Sequence, residues 1–191
     1  MLKDLIIASH NKNKLKEYEG VFEPYGFRVH TAITLNIPEP EETGLTFEEN
    51  AILKAKHAGH SSGMLALGDD GGVVIPALGG HPGLRSGRWA KEQGGFSQAF
   101  IALEKMLEGK SKEASFQIVL ALYDPMVDTV RTFPGECKGH LTFPPRGYNG
   151  MGYDPILIPE GYTKTLGELG IEGKQRLSHR AKALELLKKV L

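Results

Sequence analysis

The segment Met64-Leu65-Ala66-Leu67-Gly68-Asp69-Asp70-Gly71-Gly72-Val73-Val74-Ile75-Pro76 sets two adjacent carboxylates and three glycines between two apolar runs. The runs Met64–Leu67 and Val73–Pro76 predict two short strands, and the residues between them predict an acidic turn. Adjacent carboxylates suit a divalent cation or an activated water, because a metal neutralises like charges. A pair of ordinary turn-forming aspartates is the alternative. The residues alone leave both interpretations open.

A second candidate site lies at the start of the chain. Leu5–Ala8 predicts a buried first strand, and helical spacing follows from Leu15 to Phe22. The polar loop Ser9–Lys14 therefore lies where a strand turns into a helix, and free backbone N–H groups there favour an anion. The loop lacks Walker A spacing, so capping by Ser9 or Asn11, with solvated lysines, is the alternative.

Upstream of the acidic pair, Thr46-x-x-Glu49 is a capping box that predicts a helix to about Ser61, ahead of Gly63. Asn50 and Lys54 share one face of that helix because they are four residues apart. The acids Glu41 and Glu42 precede the helix. Acid pairs, a lysine and abundant glycine together indicate phosphate chemistry with a hard metal.

The second half of the chain predicts further elements of both kinds. A helix is expected over Phe96–Glu108, and the strands Phe116–Tyr123 and Thr129–Cys137 resemble a hairpin. Gly147–Pro155 forms a second glycine-rich loop of functional character, and the tail from Gly173 to Leu191 ends in an amphipathic helix. This order of elements predicts a mixed α/β fold, with one long sheet covered by helices.

Composition bounds the class of protein. The chain has 191 residues, 40% of them hydrophobic, with a formal net charge of +0. It fits a single domain, and nothing favours a nucleic-acid polymer or an anionic membrane as partner. The single Cys137 excludes an intramolecular disulfide and fits a reducing cytosol. The N-terminal apolar run is too short for a signal peptide or a membrane span, so a cytoplasmic location is expected.

Ser178-His179-Arg180 contains residue types found in a catalytic triad, but neighbouring residues on a helix do not face one another as nucleophile and base must. Ser178 is expected to cap the last helix, with His179 and Arg180 as polar ligands or surface groups. Trp89 and Tyr153 are expected to pack in the core, although either could line a base pocket.

Six segments, in order, carry a resemblance to the inosine triphosphate pyrophosphatase family. They are Ser9–Lys14, Glu41–Ala51, Asp69–Asp70, Ala77–Gly83, Gly152–Pro155 and Ser178–Arg180. No single motif is decisive, but together they extend from about residue 5 to residue 184. The resemblance implies an elongated two-lobed α/β fold over residues 1–191, with the active cleft between the lobes, usually as a homodimer. It also implies Mg²⁺-dependent hydrolysis of ITP, dITP or XTP to the nucleoside monophosphate and pyrophosphate.

Matched position by position, the resemblance also implies roles for individual residues. Asp70 would bind Mg²⁺ with Glu41 and activate water, and Lys54 would assist the phosphates. The triphosphate would be held by Ser9, His10, Asn11, Lys12, Asn13 and Lys14. The base and sugar would be held by Met151, Gly152, Tyr153, Asp154, Lys174, His179 and Arg180. An Arg180 donor aimed at the 6-oxo group would disfavour adenine, whose 6-amino group is itself a donor.

Several positions depart from the family pattern, and two of them bear on the substrate. Gly71, which would lie beside the substrate, stands where the family commonly has serine, and Met151 stands where a base-stacking phenylalanine is frequent. Neither change removes a charge that hydrolysis needs. Two alternatives follow: a pyrophosphatase of broader specificity, and a catalytically weak nucleotide-binding sensor.

Overall fold

A computed structural model describes residues 2–18, 20–147 and 151–191, without the side chains of Lys12 and Asn13. Two predicted phosphate-loop side chains and the middle of the predicted glycine-rich loop (148–150) therefore lie outside the described residues. Within the described part of the chain, no helix is both long enough and apolar enough to cross a membrane.

Strands and helices alternate in the first half of the chain, and both kinds recur in the second. The strands are β1 (Lys3–Ile7), β2 (Phe27–Thr31), β3 (Leu65–Val74), β4 (Glu113–Asp124), β5 (Thr129–Leu141) and β6 (Leu157–Pro159). The helices are α1 (Lys12–Tyr18), α2 (Phe47–Ser62), α3 (Ser86–Glu92), α4 (Phe96–Met106), α5 (Leu166–Leu177) and α6 (His179–Lys188). Short 3₁₀ segments lie at Glu23–Tyr25, Pro76–Leu78, Gly83–Arg85 and Asp154–Ile156.

The described strands form one mixed sheet, as the sequence predicted. Their order is β2-β1-β3-β4-β5-β6. β1 runs parallel to both β2 and β3, whereas β5 and β6 are antiparallel. Leu5, Ile6 and Ile7 are almost fully buried, which is typical of a strand flanked by parallel neighbours. The mixed α/β class is confirmed.

β3 is one continuous strand, so the predicted pair of strands joined by an acidic turn is wrong. The glycines serve close backbone approach instead of a turn. A side chain at Gly68 would collide with the Ala51 carbonyl of α2, and one at Gly71 would collide with the Gln117 carbonyl of β4. Successive side chains of a strand point to opposite faces, so the two aspartates diverge.

Helix α2 has the predicted termini. Thr46 is its N-cap, with the side-chain oxygen accepting the Glu49 N–H at 3.1 Å. Gly63 ends the helix in the left-handed region, with φ of 70°. The Glu49 carboxylate accepts the Leu45 N–H instead of closing the capping box on Thr46. The N-terminus of the helix is therefore fixed just after the acidic segment, residues 37–44.

The C-terminal tail ends in a helix, as predicted, and a further helix precedes it. Two helices, α5 and α6, meet at Ser178, whose extended backbone (ψ of 155°) interrupts them. The Ser178 hydroxyl accepts the Ala181 N–H at 3.1 Å, so its predicted capping role is confirmed. α5 was not predicted, and it begins where Thr165 and Glu168 form a complete capping box.

The chain divides into two compact units. The first unit contains Met1–Asp70, Val119–Pro134 and Leu186–Leu191, and the second contains Gly71–Ile118 and Gly135–Glu185. In the first unit, one core cluster packs β1 and β3 residues with Ala58 of α2. In the second, a larger cluster includes Trp89, Phe100 and Tyr153, so the packing roles expected of Trp89 and Tyr153 are confirmed. A single domain with a cleft between its lobes stays a prediction.

Candidate active site

The first unit contains a cluster of opposite charges, here called the acid–lysine cluster: the buried Lys54, Asp69 and Asp70 with the half-buried Lys14 and Glu42. At its centre, Lys54 Nζ lies 3.1 Å from Asp70 Oδ1 and forms a second ion pair with Glu42. The same ammonium donates to the backbone carbonyl of Asp69 at 3.3 Å. Lys54 of α2 therefore joins the acidic segment to β3.

Burial and charge act against each other in this cluster. Lys54 and Asp70 are each 6% exposed. Burial alone would lower the pKa of Lys54, but Asp70 and Glu42 outweigh it and hold the pKa above its usual value. Burial raises the pKa of Asp70, with Glu42 adding to the effect and Lys54 opposing it. A carboxylate with a raised pKa is a better proton acceptor than an ordinary one.

Asn50 completes the surroundings of Asp70. Its side chain is 1% exposed, and Nδ2 donates to Asp70 Oδ2 at 3.3 Å. Oδ1 accepts the backbone N–H of Gly44 at 2.8 Å. The amide nitrogen of Asn50 therefore contacts the Asp70 carboxylate, and its amide oxygen contacts the acidic segment. The sequence placed Asn50 on the face of Lys54 but assigned it no site role.

Asp69 has different partners because it lies on the other face of β3. Lys14 Nζ lies 3.0 Å from Asp69 Oδ2. The buried hydroxyl of Tyr18 also hydrogen-bonds Asp69, and burial followed by the charge of Asp69 raises the pKa of Tyr18 well above its usual value. Tyr18 was not predicted here, although it lies four residues after Lys14 on α1 and so shares a face with it.

The predicted phosphate loop is held by short local bonds. Ser9 is buried, and its hydroxyl accepts the Asn11 N–H at 3.2 Å. The Asn11 side chain accepts the Lys14 N–H at 3.4 Å. His10 Nε2 lies 2.8 Å from the carbonyl of Ile37. Lys14 thus joins the end of this loop to Asp69, whereas the His10 ring contacts the first residue of the acidic segment.

The two neighbouring acids of the loop differ in their surroundings. Glu41, the residue expected to bind metal, is exposed, and Glu42 carries the ion pair to Lys54. Among the described residues, no group of three or more His, Cys, Asp or Glu side chains could hold a metal ion. Mg²⁺ needs less, because it takes one or two protein carboxylates, substrate phosphates and water. Glu42 and Asp70 are two carboxylates that the structure places around one ammonium group, that of Lys54.

The second unit contains a smaller ionic feature, here called the Asp154 anchor: Asp154, Lys174 and Met151. Lys174 Nζ lies 2.7 Å from Asp154 Oδ2, and the same oxygen accepts the Met151 N–H at 2.7 Å. Asp154 is 3% exposed. The structure therefore brings three of the residues expected around the base and sugar into contact, with Asp154 fixing the other two.

Tyr153 and Gly152 complete the loop that the anchor holds. The Tyr153 hydroxyl donates to the Ser86 carbonyl at 2.8 Å, and burial raises its pKa. Phe96 packs edge-on against the Tyr153 ring, with centroids 5.3 Å apart. Gly152 lies in the left-handed region with φ of 59°, which glycine adopts without strain. Tyr153 thus supports the loop from beneath.

Three predicted residues lie elsewhere in the second unit. Arg180 is 8% exposed, and burial lowers its pKa to about 10, so it stays charged at neutral pH. The His179 ring lies edge-on to Phe116, with centroids 5.6 Å apart. Gly71 faces the backbone of Gln117 and leaves no room for the serine hydroxyl that the resemblance would place there.

Known proteins with sequences similar to this chain share one name. A protein of Brucella melitensis named dITP/XTP pyrophosphatase is 42% identical over 95% of this chain and 90% of its own length. A Rhizobium meliloti protein of the same name is 41% identical over 96% of this chain and 94% of its own. A third, from Bacillus licheniformis, is 39% identical over 100% of this chain and 98% of its own.

Solved structures agree with the fold. A HAM1 protein from Coxiella burnetii has a TM-score of 0.89 at 36% identity and covers 100% of this chain and 98% of its own. The Ham1 protein of Staphylococcus aureus has a TM-score of 0.88 at 33% identity, covering 98% and 97%. The Ham1 family model matches residues 5–190. Because that match spans nearly the whole sequence, the chain belongs to the Ham1 family.

Proposed function

We propose that this chain hydrolyses non-standard purine nucleoside triphosphates, namely dITP, XTP and ITP, to the nucleoside monophosphate and pyrophosphate. Full-length relatives named dITP/XTP pyrophosphatase support this substrate class. The observation that carries the proposal is the buried contact of Lys54 with Asp70 and Glu42. It joins a proton acceptor, a cation and a second carboxylate in one buried cluster.

Mg²⁺ is the metal that this donor set suits. Asp70 and Glu42 would hold it, with Glu42 taking the part that the sequence assigned to Glu41. The choice rests on exposure and contact, because Glu42 shares the Lys54 ammonium with Asp70 whereas Glu41 faces solvent. When bound, the ion would offset the negative charge that builds on the phosphoryl oxygens.

The protein groups have separable parts in the reaction. Asp70 accepts a proton from the attacking water, whose oxygen bonds to the α-phosphorus as the anhydride bond to the β-phosphate breaks. Pyrophosphate is the leaving group, and its added charge is stabilised by ammonium groups. Lys54 and Lys14 supply that charge in the first unit. Asn50, which donates to Asp70 Oδ2, leaves the other oxygen to Lys54.

Base selection is assigned to the second unit. Arg180 donates to the 6-oxo group of hypoxanthine or xanthine, and adenine would set a donor against that donor. The Asp154 anchor fixes Lys174 and the loop at Met151, which would hold the base and sugar. A mismatched buried donor costs about 1–3 kcal/mol, which is one to two orders of magnitude in selectivity.

The proposal extends to the setting in which the enzyme works. A homodimer in the cytoplasm is the expected form, with a free nucleotide as substrate and no nucleic-acid polymer or membrane as partner. A formal net charge of +0 supports the lack of a polyanionic partner, and one buried free cysteine supports a reducing cytoplasm.

Pyrophosphate release from ITP, XTP, dITP, GTP, ATP and a modified pyrimidine triphosphate, with Mg²⁺ and with a chelator, tests the proposal. Fast Mg²⁺-dependent release from the non-standard purines, with little from ATP, is the expected result. Comparable release across the panel, including a modified pyrimidine triphosphate, would favour an enzyme of broader specificity. Tight binding without turnover would favour the nucleotide sensor and contradict hydrolysis.

A further inference from the structure

The acidic segment, residues 37–44, carries the Glu42 carboxylate although it forms neither helix nor strand. Pro38 and Pro40 have no backbone N–H, so they donate no hydrogen bond that could fix it. Its end is held through the Gly44 N–H, which donates to Asn50 Oδ1 at 2.8 Å. Its beginning is held in part by the Ile37 N–H, which donates to the Ala32 carbonyl at 3.0 Å, and by the buried Ile37 side chain. Further contacts act on its first two carbonyls.

Two histidines supply those contacts on consecutive carbonyls. His10 Nε2 lies 2.8 Å from the Ile37 carbonyl, and His57 Nε2 lies 3.0 Å from the Pro38 carbonyl. A carbonyl oxygen only accepts hydrogen bonds, so Nε2 must carry the hydrogen in both rings. Both rings are only partly exposed.

The histidines come from the two parts of the chain that carry the lysines of the acid–lysine cluster. His10 belongs to the loop that leads to Lys14, and His57 lies three residues after Lys54 on α2. Residues three apart on a helix are neighbours on its surface. The two rings thus connect the start of the acidic segment to the strand–helix loop and to the helix of Lys54.

We propose that His10 and His57 are positioning residues that fix the acidic segment so that the Glu42 carboxylate meets Lys54. This inference rests on the proposed function, and it gives His10 a part other than the phosphate contact that the sequence suggested. The rings touch no reacting atom. They act through the backbone of Ile37 and Pro38.

The arrangement predicts a specific pattern of loss. Removing one ring leaves the other on the adjacent carbonyl, so each single change has a modest effect and the double change exceeds the product of the two. Loss of one hydrogen bond changes an equilibrium by about two- to tenfold. Glutamine keeps an N–H donor at the end of its side chain, so it should restore much of what alanine loses.

The experiment compares His10→Ala, His57→Ala, the double variant and the two glutamine variants with the wild type. His30→Ala is the matched control, because His30 also uses Nε2, but on the Asp4 carboxylate at 2.7 Å and not on a carbonyl of the acidic segment. One readout is amide hydrogen exchange over residues 39–45, measured without nucleotide or metal. The other is kcat and KM for dITP, with the Mg²⁺ concentration that gives half-maximal rate.

Expected are faster exchange over residues 39–45, a lower kcat/KM and a higher Mg²⁺ requirement in the alanine variants, with recovery in the glutamine variants. The control should show none of these changes. Wild-type exchange in both alanine variants, or an equal response in His30→Ala, would overturn the inference. A wild type that hydrolyses no nucleotide would refute the proposed function alone, because the exchange readout needs no turnover.

Discussion

The acid–lysine cluster of the first unit and the Asp154 anchor of the second are both buried, but they differ in charge balance. Among the side chains that the structure describes, the cluster sets the carboxylates of Glu42, Asp69 and Asp70 against the ammonium groups of Lys14 and Lys54. The anchor sets one carboxylate against one ammonium group. An excess of buried negative charge is costly unless a further cation relieves it.

That difference separates two kinds of work. A region with surplus negative charge is suited to a divalent ion and to the charge changes of a reaction. A balanced pair that also binds a backbone N–H, as Asp154 does with Met151, fixes a loop in place. The first region is therefore the candidate for chemistry and the second for recognition.

The largest expected effect comes from removing the charge of Asp70. Asp70→Asn should lower turnover of dITP by about a thousandfold or more, because the proton acceptor is lost. The fold should persist, since Lys54 keeps its ion pair with Glu42 and the cluster loses surplus charge. Steady-state kinetics and thermal unfolding check both parts. Retained turnover would show that Asp70 is not the base.

The adjacent acids offer a matched pair of changes. Glu42→Gln should reduce kcat/KM by about a hundredfold, because Lys54 loses an anionic partner and the metal loses a charged ligand. Glu41→Gln should change it less than about threefold, as expected for an exposed carboxylate. Kinetics over a range of Mg²⁺ concentrations measure both. A larger loss in the Glu41 variant would restore the role that the sequence assigned to it.

In the second unit, Arg180→Ala should weaken discrimination more than catalysis. The ratio of kcat/KM for ITP over ATP should fall by about ten- to a hundredfold, because the donor facing the 6-oxo group is lost. Parallel assays with both nucleotides give this ratio. Equal losses for ITP and ATP would mean that Arg180 has no part in choosing the base.

A smaller loss than that of Arg180→Ala is expected from neutralising the Asp154 anchor. Asp154→Asn removes the ion pair to Lys174 while keeping an oxygen for the Met151 N–H. KM for dITP should rise about tenfold with kcat nearly unchanged, because the loop is less firmly held. A loss confined to kcat would instead give the anchor a part in the chemical step and erase the contrast between the regions.

Local signals in the sequence predicted several elements correctly. The capping residue Thr46 and the terminal Gly63 delimit α2 as expected, and Ser178 caps where it was expected to. β3 was missed because Gly and Asp are turn formers by local preference. Its continuity depends on the backbone of α2 at Gly68 and of β4 at Gly71, which are distant in sequence.

The candidate site follows the same division. Lys54 and Asp70 were named from helical spacing and an acidic motif, and they are in contact. The sequence named Glu41 as the metal ligand, and that assignment stays a prediction. An irregular loop has no periodicity to tell which side chain faces inward, so the contact of Glu42 with Lys54 could not be predicted from it.

The absence of a side chain at Gly68 has a mechanical consequence for the chemistry. With no Cβ between them, the backbone of α2 at Ala51 and Ala55 rests directly on β3. The gap between helix and strand is thus set by main-chain atoms, which deform far less than side chains change rotamer. Gly68 therefore sets the distance between the backbones that carry Lys54 and Asp70, and this distance does not depend on the conformation of the surface loops.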